Sequence, residues 1–268
     1  MSTTVLPTGD RSVPRSERGH QPPTRASRVD GRGDRHAPLH SRMIYSRLIG
    51  ALFLAAFVLY GVGNGLVTSV LSAPDLLSTV SARQATLLVG AVLMLLNSPA
   101  VVGIGVLSFP ILEHHGQRTA LAYLAARIAE GVLLAIGVLW LLMLLPLAEH
   151  AVDTGEAGAA WANVLGSLAI QANTLAYQVG EMSLGMGSVF MSLLLFRTAL
   201  IPRAMAIWGV VGYAIFLAGA LAEVLQIHIG LMLSIPGGLF ELAFGLWLLI
   251  KGFQPDAYGE SGKALSAR

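Results

Sequence analysis

The chain has 268 residues, 54% of them apolar and only 12% charged, with a formal net charge of +2 and no cysteine. A soluble domain is about 45–50% apolar and about 25% charged, so a soluble globular fold is excluded. The missing cysteine removes disulfides, thiolate nucleophiles and thiolate metal sites together.

Charge is concentrated at the start, where 13 of the 32 charged side chains precede residue 48. Residues 1–42 hold eight Arg, four acids and five Pro, with hardly any large apolar side chain. Such a segment cannot bury enough surface to offset the entropy of ordering, so 1–43 reads as a disordered cytoplasmic tail. No apolar core follows its basic start, as a secretory signal requires. Met43 opens the compact juxtamembrane run Met43-Ile44-Tyr45-Ser46-Arg47, so translation starting there is an alternative to Met1. The basic balance comes from this tail and implies no nucleic-acid surface. Arg outnumbers Lys 15 to 2, which we read as the codon usage of a GC-rich bacterium.

Six apolar segments follow at 48–71, 86–111, 121–147, 174–196, 204–225 and 229–250. Each is near the ~20 residues needed to cross ~30 Å of hydrocarbon. The expectation is therefore an all-α polytopic membrane protein, a six-transmembrane-helix bundle over 44–253, ending in a short cytoplasmic tail at 254–268. Ser72 to Ala85 is the turn of the first hairpin. In the longest connection, Trp161, Val164, Leu165 and Leu168 recur at helical spacing, which suggests a short helix on the membrane surface. Cytoplasmic loops collect Arg and Lys. One side of this topology holds Arg42, Arg47, Arg118, Arg197, Arg203, Lys251, Lys263 and Arg268, and the other holds Arg83 alone. Both termini are thus expected on the cytoplasmic side of a bacterial inner membrane.

Charge inside the spans is the next signal, because an ionised side chain in lipid must find a partner or a wet cavity. Tyr123, Arg127, Glu130 and Leu134 share one stripe of the third span. Glu241 lies nine residues from the cytoplasmic end of the sixth span, level with Glu130. Ser234, Gly238, Glu241 and Gly245 form a small-residue face on which another helix can approach closely. Arg127 and Glu241 are therefore expected to meet, either as a structural pin or as a working group. An Arg facing two carboxylates leaves a net negative charge unless one of them holds a proton. Glu181 shares a polar track with Tyr177, Gly185, Ser188 and Ser192, read first as a packing seam and second as a cavity wall. Glu223 reads as a solvated rim charge. Asn97-Ser98-Pro99 and Pro236-Gly237-Gly238 are expected to interrupt their helices, as at some transport sites.

Other chemistries lack their residues. All seven His fall in tail or loop positions, so no pair faces across the core to ligate a haem. There is no intramembrane Lys, no His-Glu-x-x-His and no Gly-x-Ser-x-Gly. Gly61-Val62-Gly63-Asn64-Gly65 has no strand before it and lies in an apolar span, which rejects a nucleotide loop. No cofactor, metal site or catalytic residue is expected, and an enzyme acting on lipid is the least supported reading.

Several stretches resemble a known family. They are Tyr45-Ser46-Arg47-Leu48-Ile49-Gly50-Ala51-Leu52-Phe53, Tyr123-Leu124-Ala125-Ala126-Arg127-Ile128-Ala129-Glu130 and Leu195-Phe196-Arg197-Thr198-Ala199-Leu200-Ile201-Pro202-Arg203, with Trp208-Gly209 and Pro236-Gly237-Gly238-Leu239-Phe240-Glu241. Over about residues 44–253 the chain resembles a bacterial multi-pass membrane family catalogued as domain of unknown function 4386. The resemblance implies a six-helix integral membrane protein and assigns no activity.

Two functional readings follow. In the first, a small molecule or ion is bound or transported at an intramembrane site of Arg127, Glu130, Glu241, Glu181, Asn97 and Tyr123. In the second, the chain is a structural or regulatory subunit whose buried charges only fix helix packing. A cavity reaching Arg127 from the cytoplasm favours the first, and a closed, dry bundle the second. The expected partners are the bilayer and a small-molecule or proton ligand, with homo-oligomerisation permitted.

Overall fold

A backbone in lipid must satisfy its own hydrogen bonds, which leaves helices as the natural choice for apolar runs of this length. The computed structural model describes residues 39–153, 155–227 and 229–254, and every regular element among them is a helix. The elements are α1 (Leu39–Leu71), α2 (Leu76–Ala82), α3 (Gln84–Leu142), α4 (Leu144–Asp153), α5 (Gly155–Thr198), α6 (Arg203–Val224) and α7 (Gly230–Ile250). Five helical segments are long and apolar enough to cross a membrane, so this is a helical membrane protein. Of the tails expected at 1–43 and 254–268, residues 1–38 and 255–268 lie outside the described residues.

The second of those segments runs over Gln84–Ala151. Within it, α3 loses helical geometry at the single residue Gly116 and folds back on itself. A Cβ added at Gly105 would lie 2.9 Å from the Cβ of Arg127, and one at Gly131 would lie 3.0 Å from the Ser98 carbonyl oxygen. The two arms, 84–115 and 117–142, are therefore antiparallel and packed backbone to backbone. The connection expected at 112–120 shrinks to one turn.

Other expected boundaries move as well. α1 begins at Leu39, so the last residues assigned to the tail are helical. The first hairpin turn contains the short helix α2, with Leu77 and Val80 buried. The third segment ends at Leu142, and α4 starts two residues before Pro146. Proline lacks an N–H and its ring collides with the carbonyl four residues earlier, so the helix yields there. No separate surface helix surrounds Trp161. That stretch is the beginning of α5, whose 44 residues rise about 66 Å. Trp161, Val164, Leu165 and Leu168 still form an outward apolar stripe, with Trp161 73% exposed. Neither Pro99 nor Pro236 interrupts its helix, and both sit inside continuous turns. One missing backbone bond is tolerated where close neighbours hold the turn in place.

Six antiparallel rods result, namely α1, the two arms of α3, α5, α6 and α7. Each packs on its chain neighbour, and α7 closes the ring against α1. Small residues set the spacing: a Cβ on Gly63 would stand 2.8 Å from the Gly90 oxygen, and one on Gly50 would strike the Gly245 carbonyl. Two apolar clusters fill the ends. At the Gly116 end, Ile49, Ile111, Leu112, Leu195, Ile201 and Leu248 are buried with Phe253 among them. At the opposite end, Val67, Val80, Leu87, Leu141, Leu144 and Ala162 join α2 and α4 to the rods.

Candidate functional site

Arg127 projects from the second arm of α3 into the middle of the ring and is 1% exposed. Its helical neighbours at i−4 and i+3 supply the first partners. Arg127 Nε donates to the Tyr123 hydroxyl at 3.0 Å, and Nη1 donates to Glu130 Oε2 at 3.0 Å and Oε1 at 3.3 Å. The third direction crosses the ring, where Nη2 donates to Glu241 Oε1 on α7 at 3.1 Å. The Tyr213 hydroxyl of α6 donates to the same oxygen at 2.8 Å. The guanidinium carbon also stands 5.2 Å from the Phe53 ring centroid and 5.4 Å from that of Tyr123. Every edge of the guanidinium is thus engaged within the protein, and α1, α3, α6 and α7 are joined through it. Such a group is costly to bury unless its partners are complete.

Above this cluster, on the side away from Gly116, lies a chamber of about 510 Å³. Arg127, Glu130 and Glu241 form its floor, with Phe53 and Leu184 beside them. Asn97, Phe57, Tyr60, Tyr177, Glu181 and Phe216 make the walls, while Asn64, Asn173 and Thr174 stand toward the α2–α4 end. A second pocket of about 250 Å³ shares Thr174, Tyr177, Glu181, Phe216 and Ser234 with the chamber and adds Gln178 and Glu223. Beneath the floor the apolar cluster of the Gly116 end closes the ring. A cavity reaching Arg127 from the cytoplasm was the sign that favours the first reading, and the chamber lies on the side of Arg127 away from Gly116.

The mouth has a sideways component. α1 and α7 touch closely at Gly50 and Gly245, but a Cβ added at Gly61 or Gly65 would meet nothing within 4 Å. Asn64 between them is exposed while also lining the chamber.

The six residues singled out in the sequence all line the chamber or brace its floor. Arg127, Glu130, Glu241 and Tyr123 form one hydrogen-bonded group. Asn97 and Glu181 stand apart from that group in the chamber wall. The polar track of α5 divides: Tyr177 and Glu181 face the chamber, whereas Gly185 packs on Leu217 and Ser188 and Ser192 are fully buried. The seam reading thus holds for its lower half and fails at Glu181. Glu223 is only partly exposed and lines the smaller pocket, so it is not simply a solvated rim charge.

Tyr213, Tyr60 and Asn64 were missed. Tyr213 did leave a signal, a lone hydroxyl in the apolar run of α6 that needs a partner when buried. Asn64 was visible only as part of the rejected nucleotide loop. Nothing in the sequence indicated that the Tyr60 ring stacks on Tyr177, at 5.4 Å between centroids and 14° between planes.

Compared with known proteins, the chain matches at residues 48–252 the family described as Domain of unknown function (DUF4386). No curated protein and no solved structure matches it.

Proposed function

Since the chain belongs to the DUF4386 family, whose description assigns no activity, we propose its function from the chamber itself: it binds a small molecule or ion inside the membrane and serves its transport. The observation that carries this reading is the chamber of about 510 Å³ that reaches three buried charges. Its size falls in the range of about 300–1,000 Å³ of small-ligand pockets, and a few polar groups converge on an apolar wall as in such sites. We place the protein in a bacterial cytoplasmic membrane with six crossings, one for each arm of α3. The antiparallel arms support this, as do Arg118, Arg197, Arg203 and Lys251 at the Gly116 end against Arg83 at the other. Both termini are then cytoplasmic, and the chamber opens to the outside.

Within the floor, Glu241 is the group a ligand reaches first, because it is the least buried of the charged trio, its side chain 14% exposed. It faces Arg127, Glu130 and Tyr123 from α3, Glu181 from α5 and Tyr213 from α6. The test is thermal stabilisation of the purified, reconstituted protein by a panel of small metabolites, since a ligand of the native state raises the unfolding temperature. At least one compound stabilises the wild type and leaves Ala56→Trp, which fills the chamber, unaffected. Glu241→Gln weakens that stabilisation. If no compound separates the wild type from a folded Ala56→Trp, the chamber is not a binding site.

The saturation of Arg127 by its own chain favours a second reading, a structural or regulatory subunit pinned by its buried charges. It predicts that the double swap Arg127→Glu with Glu241→Arg stays folded and functional in cells.

A further inference from the structure

Among the polar groups of the chamber and the adjoining pocket, several acceptors are left without a donor. Arg127 already donates from each of its three nitrogens, to Tyr123, Glu130 and Glu241, and two of those partners are carboxylates that oppose an anion. Glu181 lines both pockets, and among the described residues it makes no hydrogen bond or ion pair. Asn97 is 3% exposed, lines the chamber, and its Oδ1 has no partner. The Gln178 Oε1 in the adjoining pocket is likewise unpaired. A buried acceptor without a donor costs free energy until something supplies the hydrogen. Three carboxylates, Glu130, Glu181 and Glu241, share the space with one guanidinium, so its formal charge balance is negative.

The walls narrow the class further. Small inorganic cations need about six oxygen ligands in a compact shell, whereas this space is walled largely by aromatic and aliphatic side chains. Tyr60 and Tyr177 stack on one another beside Glu181, with Phe57 and Phe216 in the same wall. Aromatic faces near a carboxylate hold organic ammonium groups, through the ring quadrupole and the ion pair together.

We infer that the chamber is a receptor for an organic ammonium on an apolar body, with its N–H groups directed to Glu181 and Asn97 and its body against the Tyr60–Tyr177 and Phe216 walls. This rests on the binding reading above and specifies its ligand. No covalent step is involved. Arg127 and its partners act as a fixed floor beneath the ligand, and Glu181 is the acidic side chain that selects it.

The probes are three compounds of nearly one shape: phenethylammonium, neutral 2-phenylethanol and anionic 3-phenylpropionate. Each is titrated into the full chain in phosphatidylcholine nanodiscs, with empty discs subtracted. Phenethylammonium binds saturably and about tenfold or more tighter than either analogue, the ratio set by one charged hydrogen-bonded contact. Glu181→Gln loses about that factor, Glu181→Asp keeps most of the binding, and Tyr177→Leu weakens it about two- to fivefold. If the alcohol or carboxylate binds as well as the ammonium, the cation class is wrong while the chamber still binds. Undiminished ammonium binding by folded Glu181→Gln also overturns the inference. If none of the three binds, the inference falls, while the binding reading is decided by the metabolite panel and Ala56→Trp. Should Glu181→Gln not fold, the ranking of probes on the wild type and on Glu181→Asp decides.

Discussion

Removing Arg127 strands two carboxylates beside each other above the apolar cluster of the Gly116 end. Arg127→Met leaves Glu130, 3% exposed, and Glu241 without their shared cation. Breaking a buried pair in this way costs about 3–5 kcal/mol, because the surviving charge keeps its desolvation penalty. The triple variant Arg127→Met, Glu130→Gln, Glu241→Gln removes the stranded charges and recovers most of that loss. Arg127→Lys falls between, since an ammonium cannot reproduce a planar fork serving three directions. Chemical unfolding in mixed detergent, followed by tryptophan fluorescence, ranks the three. If the single and triple variants unfold at the same denaturant concentration, the floor is not held by charge pairing.

At the scale of elements, α1 has two different faces along one helix. Toward Lys251 it presses on α7, where a methyl on Gly50 would collide with the Gly245 carbonyl and crowd the Leu249 nitrogen. Toward Leu71 it parts from α7, and a methyl on Gly61 finds open space. Gly50→Ala is therefore expected to cost about 1–3 kcal/mol by overpacking. Gly61→Ala is neutral or slightly stabilising, since alanine suits a helix better than glycine. A thermal unfolding series on the two variants checks this, and equal losses would mean that α1 and α7 do not diverge.

These contacts also explain what the sequence made legible. Hydropathy located the rods because lipid exposure demands ~20 apolar residues regardless of neighbours. Depth counting placed Arg127 near Glu241, because rise per residue is fixed along a helix. The boundaries escaped because they are tertiary. Gly116 ends an arm by allowing a one-residue turn, and α5 extends to Gly155 because α2 and α4 pack against its start. The two readings of Glu181, seam or cavity wall, stayed open in the sequence for a similar reason, as whether a face meets a helix or a void depends on how the neighbouring helices pack.

For the whole molecule the decisive property is its asymmetry, with the chamber on the side of the Arg127 cluster away from Gly116. A chain without cysteine permits single-cysteine labelling on an unaltered background. Ser78 on α2 and Gln117 beside the α3 turn are both exposed and lie at opposite ends of the ring. With both termini cytoplasmic, a membrane-impermeant thiol reagent added to intact cells modifies Ser78→Cys and spares Gln117→Cys until the membrane is opened. Asn64→Cys, on the chamber wall near the mouth, follows Ser78→Cys when a small cationic methanethiosulfonate is used. It reacts more slowly with an anionic reagent of the same size, because the space beyond it holds three carboxylates and one guanidinium. Reversed labelling of Ser78→Cys and Gln117→Cys would invert the topology and turn the chamber toward the cytoplasm. Equal rates for the two reagents at Asn64→Cys would remove the electrostatic selection, whichever way the ring is turned. The experiment thus separates where the chamber opens from what charge it admits.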